Sequence, residues 1–275
     1  KNLLIKLDLY SSEWVVNEVS KIKFMVDSKE LCLNLKTSKA CILDRAKLER
    51  YLYEQCIKQG VEFRLGEAIS EKDIVRGVRR HNRSHILNIK GEEAKVFIDA
   101  SGLASVLGKY MGMVDNLKKI EDIGYCFQAT VNAEFDNSIQ LYLFNNGYGW
   151  VFPKSSNLAN IGIGVVNFTN LDFGMKFIDK VCPNSYEIQY CFREPIPLSM
   201  PAKELVKGNV MLVGEAGRLV NSLTGAGIFT ALVSGEKAGK IADGYLKNKL
   251  NSLGIYDLAM KNLFYHKLRK SYKLK

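Results

Sequence analysis

The residues best placed to do chemistry lie between Asn209 and Ile228, in the run NVMLVGEAGRLVNSLTGAGI. Asn209–Val213 reads as a buried strand ending at Gly214. It puts the carboxylate of Glu215 at its carboxyl edge, where α/β sheets bind ligands. Ten residues later Gly225-Ala226-Gly227 opens a helix. The unpaired N–H groups and positive dipole end of such a helix suit a phosphate or an electron-rich, partly anionic ring. The same spacing also describes a plain strand–loop–helix in which the glycines serve tight packing. Spacing alone leaves the two readings even.

Several other chemistries are excluded by pattern. Gly-x-Gly steps occur at Gly147/Gly149, Gly162/Gly164 and Gly225/Gly227, but the third glycine of GxGxxG is replaced by Phe152, Asn167 and Thr230. Five residues separate Gly102 from Gly108-Lys109 where a P-loop has four, and Tyr110 follows where it needs Ser or Thr. No GxSxG elbow occurs, and with His81, His85 and His266 as the only histidines a Ser-His-Asp triad has little support. His81 and His85 have metal-ligand spacing for a helix, yet the polar run RRHNRSH around them reads as a solvated loop or hairpin. The six cysteines form no CxxC pair. Spread through apolar stretches, they are expected to be buried small hydrophobes in a reducing compartment.

The elements that must position Glu215 and the glycines follow from periodicity. Leu43–Gly60 predicts a helix capped by Asp44, with Leu48, Tyr51, Leu52 and Cys56 on one face. Val61–Leu65 follows as a strand. Lys95–Ile98 is a short buried strand leading into Asp99. From about Asp122 to Phe168 the pattern changes to alternating strands, with Asn145-Asn146-Gly147 and Ser155-Ser156-Asn157 as turns. Gly225–Tyr245 reads as a helix. Strand-plus-helix at both ends around an antiparallel insert predicts one α/β domain interrupted by a second.

With these elements in place, the sequence resembles the geranylgeranyl reductase family, flavoproteins built like p-hydroxybenzoate hydroxylase that saturate isoprenoid double bonds. VGEAGRLVNSLTGAGIFTAL is similar to the family's second flavin motif. The resemblance gives Glu215, after Gly214, the carboxylate role toward the ribityl chain. It also turns backbone N–H groups of Gly227 and Ile228, beside Gly225 and Ala226, to the flavin pyrimidine edge. DASGLAS, from Asp99 through Gly102, resembles the DGxxS segment beside the flavin phosphates. Tyr148-Gly149-Trp150-Val151-Phe152-Pro153, followed by Gly162-Ile163-Gly164, resembles the YxWxFP…GxG signature that lines the isoprenoid cavity. ILDRAKLERYL is a weaker match, in which Arg45 reaches the cofactor from a helix start and the strand end near Ile69 meets the adenosine half. The family opens with a βαβ unit carrying GxGxxG and a Pro/Cys loop, and Lys1 is expected to fall inside that domain. Glu215 stands where Asp is usual, Gly217-Arg218 where Ala-Gly is, Ser222 where Pro is and Ala226 where Gly is. Arg218 would either reach a phosphate or crowd the site.

The resemblance therefore implies an α/β (α+β) fold: an incomplete FAD-binding Rossmann-like domain of residues 1–108 and 201–245, interrupted by an antiparallel substrate domain of 109–200. A basic helical tail of 246–275 follows. It implies FAD as cofactor, an isoprenoid lipid as substrate and an electron donor that the sequence does not identify. Composition adds a net charge of +10, most of it at the C-terminus, where 236–275 hold ten basic residues against three acidic. Such a tail favours an anionic partner or a solvated helix face. With Leu250, Leu253, Ile255, Leu258 and Leu263 among the cations, an anionic membrane surface is favoured over nucleic acid. No apolar run reaches membrane-spanning length and the first twenty residues lack a signal-peptide layout, so a cytoplasmic protein, peripheral at the membrane, is expected. Two rivals remain: a related FAD-dependent hydroxylase or halogenase, and a non-catalytic or split-protein remnant that binds isoprenoid or flavin.

Overall fold

Elements follow one another along the chain as the apolar patterns require. A computed structural model describes residues 1–36, 39–78, 85–117, 119–167, 172–182 and 184–275. Helix α1 (Asn2–Lys6) precedes strands β1 (Val15–Val19), β2 (Lys21–Val26), β3 (Lys29–Asn34) and β4 (Ala40–Leu43), then helix α2 (Arg45–Lys58). Next come β5 (Ile74–Val78), β6 (His85–Ile89), β7 (Glu92–Glu93), β8 (Phe97–Asp99) and α3 (Val106–Tyr110). They are followed by β9 (Ile123–Asn132), β10 (Ile139–Phe144), β11 (Gly147–Pro153), β12 (Leu158–Val165) and α4 (Phe173–Val181). The chain continues through β13 (Glu187–Pro197), β14 (Val206–Lys207), β15 (Val210–Leu212) and α5 (Ile228–Leu246). Helices α6 (Gly254–Met260) and α7 (His266–Leu274) are joined by a π-helical turn, Lys261–Tyr265.

These elements form two compact units: residues 1–65 with 125–195, and residues 66–124 with 196–275. The first is built on a seven-stranded sheet of order β13-β9-β12-β11-β10-β2-β3. Its pairings from β9 through β11 to β10 are antiparallel, while β10 and β2 run parallel. Because side chains alternate across a sheet, Phe127, Ala129, Val131, Val151, Ile161 and Ile163 share one face and are buried with Phe177 and Ile178 of α4. Helix α2 starts as its sequence dictates: Asp44 accepts a hydrogen bond from the Lys47 N–H at 3.3 Å, and Leu48 is buried. The Tyr51 ring meets that of Trp14, centroids 4.6 Å apart.

The second unit holds a three-stranded sheet, β14-β15-β8, and a meander, β5-β6-β7. Strands β8 and β15 lie parallel, with Ile98 opposite Met211 and Asp99 opposite Leu212. Strand β15 is buried throughout, as such strands are in α/β proteins, whereas β8, expected to be buried, leaves Ile98 exposed. Ser234, Ala238, Ile241 and Ala242 form the buried stripe of α5, at the spacing of one helix face. Tyr256, fully buried, donates its hydroxyl to the Leu212 carbonyl at 2.7 Å and ties α6 to the sheet.

The structure departs from the sequence reading in four places. Residues 1–65 belong with the antiparallel sheet and not with the presumed cofactor domain, because β2 and β3 extend that sheet through the β10 pairing. Residues 61–70 form no strand; Val61, Phe63 and Leu65 are exposed, and Ile69 sits in an irregular segment rather than at a strand end. The C-terminal residues are helical but are not a separate tail, since Tyr256, Met260, Phe264 and Leu268 enter the second unit's core. Cys182 is buried, whereas Cys32 and Cys191 are exposed. Of the RRHNRSH run, residues 79–84, His81 among them, fall outside the described residues, and His85 opens β6.

Both tryptophans lie in the first unit, so their fluorescence reports its unfolding alone. Ile178→Ala removes a fully buried side chain of α4. It is expected to destabilise this unit by about 2–5 kcal/mol, read as a lower urea midpoint in tryptophan emission.

Candidate functional site

Parallel pairing of β8 and β15 carries their carboxyl ends to the same edge of the sheet, and two short loops leave from there. After β8 the chain runs through Asp99, Ser101 and Gly102; after β15 it runs through Gly214 and Glu215. Asp99 is 4% exposed and all its acceptor capacity is turned inward. Oδ1 accepts from the Ser101 N–H at 2.9 Å and the Ser101 hydroxyl at 2.6 Å, and Oδ2 from the N–H groups of Leu107 and Gly108 at 2.9 and 3.1 Å. Asp99 therefore shapes the loop and anchors α3, a structural task rather than the cofactor contact expected of it.

Glu215 lies on the other loop, between two glycines. A methyl group placed on Gly102 would lie 3.7 Å from its Oε2, and one placed on Gly227 would lie 3.8 Å from its Oε1. The carboxylate thus sits between the β8 loop and the start of α5, with a glycine on each side. Helix α5 begins at Gly227 with no side-chain cap hydrogen bond. Its first turn keeps the N–H groups and positive end that an anionic or electron-rich ligand needs. The loop before it is organised by Asn221, whose Oδ1 accepts from the N–H groups of Leu223 and Thr224 at 3.0 and 3.1 Å. Its backbone carbonyl accepts from the Gly225 N–H at 2.7 Å. The sequence reading passed over Asn221, although Asn-Ser-Leu-Thr-Gly carries an Asx-turn signature. Leu223, Ile228 and Phe229 stand exposed around this loop and helix start.

The two loops brace each other. Ser105 (φ 43°) and Arg218 (φ 57°) are both left-handed and almost wholly buried. Such a backbone costs a non-glycine residue about 1–2 kcal/mol. Ser105 donates its hydroxyl to the Ala216 carbonyl at 2.8 Å, and Arg218 Nη1 donates to the Leu103 carbonyl at 3.0 Å. Arg218 Nη2 is buried with no hydrogen-bond partner. Burial pulls the Arg218 pKa below its ordinary value, while the nearby carboxylates of Glu215 and Asp99 act against that fall. Its guanidinium is enclosed by protein, so it neither reaches a phosphate directly nor fills the space between the glycines.

The aromatic signature lies in the first unit. Tyr148, Trp150 and Phe152 alternate along β11 and share the sheet face opposite to α4. Ring centroids are 5.7 Å apart for Tyr148 and Trp150, and 6.0 Å for Trp150 and Phe152. Register sets Gly162 opposite Trp150 and Gly164 opposite Tyr148. A methyl group on Gly162 would come within 2.2 Å of the Trp150 indole. The glycine was expected to admit a long chain to the backbone; its space is instead filled by the indole, which lies flat over β12. Trp150 Nε1 donates to Asn160 Oδ1 at 2.8 Å, and Asn160 Nδ2 to Gln128 Oε1 at 3.1 Å, a polar string the sequence did not single out. Burial pushes the Tyr148 phenol up to about 12, so it stays protonated at neutral pH. The same face continues outward through Leu141, Phe24 and Leu31.

Arg45, the first residue of α2, is exposed and engaged with Glu49 at 2.8 Å, and it belongs to the first unit. Glu215 belongs to the second. Asp99, Gly102, Gly214, Glu215, Gly225, Ala226, Gly227 and Ile228 are all in the second unit, and the residues from Tyr148 to Gly164 are all in the first.

Comparison with known proteins gives this arrangement a context. A family model described as the geranylgeranyl reductase catalytic domain matches residues 122–190, which include the aromatic strand. A digeranylgeranylglycerophospholipid reductase of Methanosphaerula palustris is 31% identical over 217 residues, which cover 73% of this chain and 53% of the relative. One from Methanosarcina acetivorans is 30% identical over 268 residues, covering 84% and 65%. Among solved structures, a geranylgeranyl bacteriochlorophyll reductase-like protein of Thermoplasma acidophilum matches with a TM-score of 0.79 and 22% identity, over all of this chain and 75% of its own. The chain thus spans between about half and two thirds of the length of these curated relatives.

Gly162→Ala is expected to force the Trp150 indole off β12, at a cost of about 1–3 kcal/mol for the overpacked contact. The check is a shift in tryptophan emission with a lowered unfolding midpoint, whereas Gly208→Ala, at an open turn, leaves the emission unchanged.

Proposed function

The chain belongs to the geranylgeranyl reductase family, and from that membership we propose that it is an FAD-dependent reductase saturating double bonds of geranylgeranyl-type isoprenoid lipids. The observation that carries the proposal is the Glu215 carboxylate, set between Gly102 and Gly227 at the uncapped start of α5. A reduced flavin, when bound, supplies a hydride to one alkene carbon while a proton reaches the other. The residues of this chain bind, orient and exclude water. Glu215 would accept hydrogen bonds from the ribityl hydroxyls of a bound flavin. The N–H groups of Gly227 and Ile228, with the positive helix end behind them, favour negative charge at the flavin pyrimidine edge. Gly214 packs against Ala231 of α5 and Gly225 against Ile196, and Ala226 adds only a methyl group ahead of the helix start. In the first unit Tyr148, Trp150 and Phe152, with Trp150 packed over Gly162, offer the apolar surface that an isoprenoid chain requires, whereas Pro153 has the parity of Val151 and falls on the opposite sheet face. The names of the archaeal relatives support a polyprenyl glycerophospholipid as the substrate class.

Two experiments test this reading. Protein loaded with FAD and reduced with dithionite is expected to convert a geranylgeranyl glycerophospholipid to products heavier by one H2 per bond, seen by mass spectrometry. Failure of the protein to take up FAD favours the non-catalytic remnant, and oxygenated products favour a hydroxylase. Glu215→Ala is expected to weaken FAD binding by about tenfold or more, the loss of at least 1.4 kcal/mol that fits one charge-assisted hydrogen bond. Flavin fluorescence titration measures it.

The C-terminal region supports a peripheral contact with an anionic membrane. Ile255, Leu258 and Leu263 are exposed, as are Lys267, Arg269, Lys270 and Lys273, whereas Leu253 turns into the core. No helix among the described residues is long and apolar enough to cross a membrane. Co-sedimentation with vesicles of anionic lipid is expected to exceed that with neutral lipid and to fall with added salt. Equal partition into both removes the membrane contact.

A further inference from the structure

Arg218 is the sole buried cation among the described residues, at 3% exposure. It stands directly behind the site proposed for the flavin. Its Nη1 donates to Leu103, next to Gly102, and lies 3.5 Å from the carbonyl of Glu215 itself. Two carboxylates, Asp99 and Glu215, act on the guanidinium through space, and Nη2 makes no hydrogen bond. Asp99 is already saturated by four donors. A ligand bringing phosphates or a reduced, negatively charged ring to this edge meets two negative side chains. A fixed, desolvated positive charge acts strongly there, because the surrounding dielectric is low.

We propose that Arg218 is a positioning and charge-compensating residue for the cofactor: it clamps the Leu103 and Glu215 loops together, and its charge favours the reduced, anionic form of the bound flavin. This rests on the flavin reading of the same site. An arginine held in a left-handed backbone conformation is otherwise unexplained, since glycine takes that conformation without strain. Arginine also keeps its charge when buried, which lysine does less firmly.

The test uses the whole chain loaded with FAD, and its readout is the midpoint potential from a spectroscopic titration against reference dyes. Arg218→Gln retains an N–H donor for the Leu103 carbonyl but has no charge. It is expected to lose about tenfold in preference for the reduced form, about 30 mV for a two-electron couple, with FAD still bound. Arg218→Lys keeps the charge and is expected to hold most of the wild-type potential. If Arg218→Gln does not fold, Arg218→Met reads the same quantity. An unchanged potential in the neutral variant, or an equal drop in the lysine variant, overturns the charge role. A wild-type chain that takes up no FAD overturns the flavin reading and this inference with it, a result separate from the other two.

Discussion

The parallel pairing of β8 with β15 is the constraint from which the rest of the second unit follows. The two strands are more than a hundred residues apart in sequence, and each is only three residues long. Neither could persist alone; burial of Met211 and Leu212 against Tyr256, Met260 and the stripe of α5 holds them together. Their alignment brings two carboxylates to one sheet edge. The alternation of the strands and the loop geometry then divide the labour. Asp99 turns inward to satisfy the N–H groups of its own loop and of α3, and Glu215 is left between two glycines at a helix start. One carboxylate organises its own loop, and the other stands where the two loops meet the helix start.

The first unit depends on a different constraint, the two-residue period of its sheet. Along β11, Val151 faces α4 while Tyr148, Trp150 and Phe152 face the other way. A slip of one residue in the β11–β12 register would exchange the two faces. It would also bring a side chain where Gly162 now lies beneath the indole. The hydrogen bond from Trp150 to Asn160, and from Asn160 to Gln128, crosses three strands and fixes the ring plane at the same time. An apolar wall of this kind is rigid because its largest member is held by packing and by a directional bond together.

Much of this was legible before any coordinates. Helix α2, with its Asp44 cap, the strands from β9 to β12 and their turns, the short strands β8 and β15 and helix α5 all follow from periodicity and capping, although β8 leaves Ile98 exposed. The membership of residues 1–65 was not legible, because the β2–β10 pairing joins segments over a hundred residues apart and leaves no local signal. The expected strand at Val61–Leu65 failed for a related reason: its apolar residues have local β propensity but no strand beside them to pair with, and pairing decides. For the site, spacing drew attention to Glu215 and Gly227, which the fold brings close together. It could not tell that Asp99 spends its acceptors on its own loop, nor that Gly162 serves Trp150. Both are matters of which atom occupies a space, and spacing in sequence carries no such information.

The departures from ordinary local preference in this molecule are not scattered evenly. Among residues other than glycine with left-handed backbone, Asp8, Asp27, Asn167 and Asn248 are of types that tolerate it, and Lys90 sits in an exposed turn. Ser105 and Arg218 are the two that are buried, and they lie on the two loops that flank Glu215. Each reaches across with its side chain to a carbonyl of the opposite loop, Ser105 to Ala216 and Arg218 to Leu103. The strain on one loop is therefore held by a hydrogen bond to the other, and neither loop can relax without releasing both. Backbone strain of this kind persists only where the surroundings over-determine it. Here the surroundings are the buried strands themselves, so the rigidity of the Glu215 cradle and the stability of the second unit's core have the same physical origin.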